Sequence, residues 1–406
     1  MEKIRFGVFG AWRGEAFIRI VHTFREEAML TAVCDWNEEK LSAARKICRE
    51  AGTEESVQFF RDFDAFIDSG MDVVVLCNSF PEHAPYAIRA MEKGIHVISE
   101  CTSAATLKEC VELCEAVERT GCKYMIAENY PFTPDRLEMA RLAREGKLGK
   151  ILYAEGEYNH AASEADLRYL TPGPNHWRAW LPRTYYVTHA MGPLMYMAQA
   201  MPLTVNARAV HSEVLEKYDD FRHNYDAIGM MFCQMDNGAL FRFTGCTTMP
   251  SPSGYRIVGE YGSAESGRTV PGGQVFVHYH GWEKPEDMHQ TQSYVPDYDE
   301  VMKKAVSFGH GGGDYYIIYN MIQAILHDTP YFFDVYRGVA MSATAILGWR
   351  SVLNDGATYH IPDFRDKEAR KAVADDDLTP FPQADGSGVT LPCASMDAKK
   401  KGYTIY

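Results

Sequence analysis

Ile4-Arg5-Phe6-Gly7-Val8-Phe9-Gly10-Ala11-Trp12-Arg13-Gly14 decides the fold of the first third of this 406-residue chain. Ile4–Phe9 is a short apolar run that stops at Gly10, and residues 15–24 beyond it read as a helix. The pattern then repeats. Apolar runs at 30–34, 72–77, 96–99 and 123–127 alternate with helix-forming stretches at 38–51, 85–93 and 107–120. Gly94 and Gly121 stand where C-caps belong. Continuous apolar strands separated by helices predict a parallel sheet covered on both faces, a doubly wound α/β domain.

The pattern changes after Glu128. Longer alternating runs at 151–158, 204–211, 226–235 and 239–244 predict an open, mostly antiparallel sheet, with further strands at 255–259 and 274–279. Asp236-Asn237-Gly238 is a hairpin turn. Residues 134–145, 315–327 and 335–353 read as helices. The expected organisation is a dinucleotide-binding domain over 1–127, an α+β domain over 128–365, and a tail of low order over 366–406.

With 41 basic and 55 acidic residues the net charge is −14, which disfavours nucleic acid and anionic membrane surfaces as partners. No apolar run approaches the length of a membrane-spanning helix. None of the ten cysteines forms a CxxC pair, and no signal-peptide h-region is visible, so free thiols and a cytoplasmic location are expected. No histidine spacing of metalloenzyme form occurs, and no metal is expected.

The turn Gly10, Ala11, Trp12, Arg13, Gly14 is a candidate pyrophosphate site. Its match to Gly-x-Gly-x-x-Gly is loose: Trp12 stands at the second glycine, and Gly14 comes one residue early. Asp35, at the end of the second strand, is placed to accept the ribose hydroxyls of NAD, or else to cap the helix that follows. Asn78 and His83 lie in the loop after the most β-branched strand, where ligands bind in such sheets.

These stretches, with Lys93-Gly94-Ile95-His96-Val97-Ile98-Ser99-Glu100, resemble the Gfo/Idh/MocA oxidoreductases. The resemblance implies bound NAD, with Glu100 and Asn129 beside it, and action on sugars or cyclitols. The Glu-Lys-Pro of those enzymes is replaced by Glu100-Cys101-Thr102, so the proton-transferring lysine is missing. Tyr186-Val187-Thr188-His189-Ala190-Met191-Gly192-Pro193 and Gly309-His310-Gly311-Gly312-Gly313-Asp314-Tyr315 resemble the NAD-dependent glycosidases of glycoside hydrolase family 109.

That branch implies transient oxidation at sugar C3, elimination across C1–C2, water addition and re-reduction. His189, Tyr186, Tyr158 and Glu128 are the implied proton-transfer residues. His160, Trp177, Arg178, His310 and Asp314 are candidate sugar contacts; His310 and Asp314 otherwise serve a glycine-rich turn. A neutral glycoside fits the acidic chain, and a dimer or tetramer is expected. Two other readings stay open, an ordinary NAD-dependent sugar dehydrogenase and a non-catalytic ligand sensor.

Overall fold

The computed structural model describes residues 2–248, 250–270, 272–382 and 390–393. They form two compact units, one of Met1–Phe132 with Asp299–Val339, the other of Thr133–Tyr298 with Ala340–Tyr406.

The first unit holds a parallel sheet of β1 (Ile4–Phe9), β2 (Ala28–Cys34), β3 (Gln58–Phe60), β4 (Val73–Leu76), β5 (His96–Ser99) and β6 (Tyr124–Ile126), ordered β3-β2-β1-β4-β5-β6. Its first helices are α1 (Ala11–Val21), α2 (Glu38–Glu50), α3 (Phe63–Ile67), α4 (His83–Glu92) and α5 (Leu107–Thr120). The four side chains of β4 are fully buried, each contributing about 1.5–3 kcal/mol. The ladder continues past the strand ends: Gly10 N donates to Cys34 O, Cys77 N to Phe9 O, Glu100 N to Leu76 O and Ala127 N to Ser99 O. These bonds bring Gly10, Asp35, Asn78, Glu100 and Glu128 to the carboxyl edge of one sheet.

The second unit is built on a nine-stranded sheet: β7 (Ile151–Asn159), β8 (Pro202–His211), β9 (Asp226–Met235), β10 (Leu240–Thr247), β11 (Tyr255–Gly259), β12 (Gly262–Ser266), β13 (Val275–Tyr279), β14 (Thr291–Tyr294) and β15 (Tyr359–His360). The order is β14-β13-β12-β11-β7-β10-β9-β8-β15. Every pairing is antiparallel except β7 with β10. Gly238, at φ 88°, makes the hairpin between β9 and β10. Helices Pro134–Arg144 and Thr188–Ala198 pack together, and the second also covers β7.

Two boundaries differ from the sequence reading. The segment Asp299–Val339 belongs to the first unit. The expected tail of low order is also corrected for 366–382 and 390–393, where charged residues hide specific anchors. Helix Lys367–Lys371 is capped by Asp366, and Arg350 pairs with Asp376 at 2.5 Å. Phe381 and Cys393 are buried, and Trp349 Nε1 donates to Leu391 O. Residues 383–389 and 394–406 lie outside the described residues.

Candidate active site

In the first unit, α1 starts directly after Gly10, whose φ of 93° is left-handed. A Cβ there would lie 2.4 Å from the backbone of Cys77, so only glycine fits. At Gly14 a Cβ would meet Val8 Cγ1 at 2.4 Å, and its absence lets α1 lie close on β1. Trp12 is half-exposed. Asp35 reaches back to this turn: Ala11 N donates to Oδ2 at 2.7 Å and Asn37 N to Oδ1 at 2.8 Å. The cap of α2 is Asn37, which accepts from Glu39 N. Asp35 is therefore fixed at the N-terminus of α1, where a carboxylate is favoured by the helix dipole.

Arg13 leaves α1 for a buried polar network. Its Nη2 stands 2.7 Å from Glu100 Oε1 and 2.7 Å from Asp314 Oδ1, while Nη1 donates to Asp314 Oδ2 at 3.3 Å. Asn129 Nδ2 also donates to Oδ1, at 2.7 Å, and His310 Nδ1 lies 2.9 Å from Oδ2. Burial would raise the Asp314 carboxyl, but the His310 hydrogen bond and the Arg13 charge outweigh it and hold it well below the usual range. Burial likewise opposes the Arg13 charge, and Glu100 and Asp314 override it. Both Asp314 oxygens are thus occupied, and the side chain is fully buried. The expected contact of Asp314 with sugar hydroxyls gives way to a role as the anchor of this network. His310 is more open, its ring 6.1 Å from that of Tyr130.

The glycines before Asp314 have physical causes. His310, Gly311 and Gly312 all have positive φ, and a Cβ on Gly313 would lie 2.2 Å from Asn129 O. The loop is pressed against the Glu128-Asn129 backbone.

His83 is buried, and its ring bridges two loops: Nδ1 faces Thr102 O at 3.0 Å and Nε2 faces Asn78 O at 3.2 Å. Burial pulls its pKa down, against the pull of those carbonyls. His83 braces the Asn78 and Thr102 loops, with the single N–H of the neutral ring donating to one of the two carbonyls. Asn78 Oδ1 and Asn129 Oδ1 are buried without a hydrogen-bond partner. Buried acceptors at the carboxyl edge of a parallel sheet suit a ligand rich in hydroxyl and amide donors, as NAD is.

Cys101, at the position of the missing lysine, places Sγ 3.5 Å from Glu128 Oε2, and Tyr130 N donates to Glu128 Oε1 at 3.1 Å. Cys101 N donates to Glu100 Oε2. Both Cys101 and Glu128 are buried.

In the second unit, three of the expected proton-transfer residues meet. Tyr158 ends β7, and Tyr186 and His189 flank the first turn of helix Thr188–Ala198. The ring of His189 is 4.8 Å from Tyr158 and 5.1 Å from Tyr186, edge to face in both cases, and the two tyrosine rings are 5.7 Å apart. Gly156 permits this approach, since its Cβ would lie 2.1 Å from Ala190 O. Tyr255 Oη donates to His189 O at 2.6 Å and fixes the turn. His160 is exposed, 5.8 Å from Tyr158 ring to ring. The Arg178 guanidinium lies over Trp177 at 4.3 Å, and Trp180 Nε1 and His223 Nε2 both meet Pro174 O at 3.1 Å. The 171–182 loop is therefore a folded, self-bonded segment. The Asp314 anchor, the Cys101–Glu128 contact and the Tyr255 brace were not visible as patterns in the sequence, because no periodicity links partners so far apart.

Residues 4–128 match the oxidoreductase family with an NAD-binding Rossmann fold, Gfo/Idh/MocA, and residues 132–370 match the C-terminal domain of glycosyl hydrolase family 109. The chain is 27% identical over 396 residues to a glycosyl hydrolase family 109 protein of Shewanella sp. strain MR-4, covering 90% of this chain and 86% of that one. It is 26% identical over 382 residues to an alpha-N-acetylgalactosaminidase of Tannerella forsythia, covering 82% and 80%. Among solved structures, the aldose-aldose oxidoreductase of Caulobacter crescentus, crystallised with glycerol, superposes with a TM-score of 0.70 at 18% identity, covering 89% of this chain and 100% of that one.

Proposed function

We propose a function from one premise: this chain belongs to the Gfo/Idh/MocA oxidoreductases and carries the C-terminal domain of glycosyl hydrolase family 109. The reading is an NAD-dependent enzyme that cleaves a glycoside without net redox change. The observation that carries it is the meeting of Tyr158, Tyr186 and His189.

The turn Gly10–Gly14, Asp35, Asn78, Glu100 and Asn129 would hold NAD, with Arg13 locked by Glu100 and Asp314. When bound, NAD supplies reversible oxidation at sugar C3, which acidifies the neighbouring C2–H. Tyr186 or Tyr158 acts as the base at C2 or at the C3 hydroxyl, its phenolic oxygen taking the proton released there. The C2–H electron pair forms the C1–C2 double bond as the C1–O bond breaks. His189 donates a proton to the departing oxygen and takes one from the water that adds back. The Cys101 thiol does not replace the lysine as a base; it rests on Glu128, which we assign to proton relay or orientation. His160, Trp177, Arg178 and His310 are the candidate sugar contacts. A cytoplasmic location and a homo-oligomer complete the reading. It is supported by the ten free cysteines and by the exposed Phe232 and Leu240 on the nine-stranded sheet. Among the described residues no helix is long and apolar enough to cross a membrane.

Aryl glycosides, beginning with N-acetylhexosaminides, incubated in deuterated water test the proposal. Aglycone release with deuterium at C2 and no accumulation of NADH is expected. Steady NADH formation from a free sugar would replace it with ordinary dehydrogenation. Tight NAD binding with no turnover of either substrate class would point to a sensor.

A further inference from the structure

The string Tyr186–Pro193 ends in a proline that lies buried inside helix Thr188–Ala198. In an α-helix the carbonyl of residue 189 takes its ladder bond from the N–H of residue 193. Proline has no N–H, and its ring crowds that same carbonyl. The first turn of the helix therefore withholds the ladder donor from His189 O, in a histidine only 5% exposed. A buried carbonyl deprived of a donor is destabilising. The Tyr255 hydroxyl supplies one, Oη donating to His189 O at 2.6 Å.

The sheet holds Tyr255 ready for this. Tyr255 begins β11, is fully buried, and pairs in register with Gly156 of β7 and Ser266 of β12. The Arg136 guanidinium lies over its ring at 4.3 Å. Gly156, its cross-strand partner, meets the next carbonyl: a Cβ there would lie 2.1 Å from Ala190 O. Two successive carbonyls of the helix thus rest on two paired residues of the sheet. Tyr158, two residues along β7 and so on the same face, holds its ring 4.8 Å from that of His189.

We propose that Pro193 and Tyr255 together are positioning residues for His189. The proline withholds the helical donor and the tyrosine hydroxyl takes its place, so the sheet fixes where the imidazole stands against Tyr158. Both act through His189, and the proposal rests on the reading of His189 as the proton donor.

A double-mutant cycle tests it. Tyr255→Phe removes the hydroxyl, and Pro193→Ala restores an N–H at residue 193 that replaces it. In aryl-glycoside turnover, Tyr255→Phe should lower kcat about tenfold or more, with KM and NAD affinity unchanged. In the Pro193→Ala background the same substitution should cost at least about threefold less. Equal losses in the two backgrounds, or no loss in the parent, would overturn the proposal. A second readout needs no turnover. With histidines isotope-labelled at Cε1, the NMR signal of His189, identified by its loss in His189→Ala, should shift in Tyr255→Phe. In the double variant it should return toward its parent position. A signal that Tyr255→Phe leaves in place overturns the proposal, including where Pro193→Ala fails to fold. A parent that cleaves no glycoside would count against the proposed reaction, while the His189 signal still decides whether Tyr255 positions the imidazole.

Discussion

Arg13 and Asp314, 301 residues apart in sequence, meet as a two-pronged ion pair, Nη2–Oδ1 at 2.7 Å and Nη1–Oδ2 at 3.3 Å. The pair ties the first turn of the sheet to a loop from the last quarter of the chain, and Asn129, His310 and Glu100 complete it.

Removing the cation should be severe. Arg13→Met leaves Glu100 and Asp314 buried beside each other and should cost about 3–5 kcal/mol, read by denaturant unfolding at pH 7. The Asp314 carboxyl lies below its unfolded value, so its contribution is present above about pH 4 and is lost as pH falls further. The parent-minus-variant difference should therefore shrink below pH 4. A difference that stays constant would remove Asp314 from the ledger.

In the second unit, His189→Ala, Tyr186→Phe and Tyr158→Phe are expected to separate chemistry from cofactor binding. His189→Ala, and at least one of the two phenylalanine variants, should lower turnover by about 10²–10⁴-fold. NAD affinity, followed by nicotinamide-dependent fluorescence quenching, should stay unchanged. Equal loss of turnover and NAD affinity would indicate general disruption.

Glycine substitutions give a matched comparison. Gly313→Ala places a methyl 2.2 Å from Asn129 O and should cost about 1–3 kcal/mol through forced movement of the loop. Gly94→Ala meets no atom within 4 Å, and its φ of 77° carries only the left-handed penalty of about 1–2 kcal/mol. Only Gly313→Ala should weaken NAD binding, since its displacement falls on Asn129.

Glu109 provides a pH test away from the site. Burial pushes its carboxyl up to about 7, against the hydrogen bonds from Ala105 N and Thr106 N. A carboxyl raised in the folded state favours folding while protonated, and that contribution is lost as pH rises from about 4 through 7. Glu109→Gln keeps the capping box and removes the titration. It should match the parent at pH 4 and exceed it in melting temperature at pH 8. A lower melting temperature at pH 8 would show that the charged form is the better cap.

The parallel sheet was legible because its strands are apolar through and through: β1, β4 and β5 stand where the runs predicted. β12 and β14 were not legible. Gly262–Ser266 and Thr291–Tyr294 are polar, and they are strands because neighbours on the sheet pair with them. At the site, the Tyr186–His189 string and the Gly10–Gly14 turn stood out as local patterns. The uses of His83 and Asp314 did not, because a histidine facing two carbonyls or an aspartate facing an arginine looks identical in sequence to one facing a ligand.

The return of residues 299–339 to the first unit bears on the order of synthesis. A ribosome delivers Arg13 and Glu100 early, yet their carboxylate partner is made only at residue 314. Until then the nascent first unit holds a charge pair short of its third member and a Glu128-Asn129 edge without its glycine loop. An N-terminal fragment ending at residue 132 should accordingly be protease-sensitive, and one extended through residue 339 would carry the Thr133–Tyr298 part of the second unit with it. Completion of the first unit is thereby deferred to the last quarter of translation.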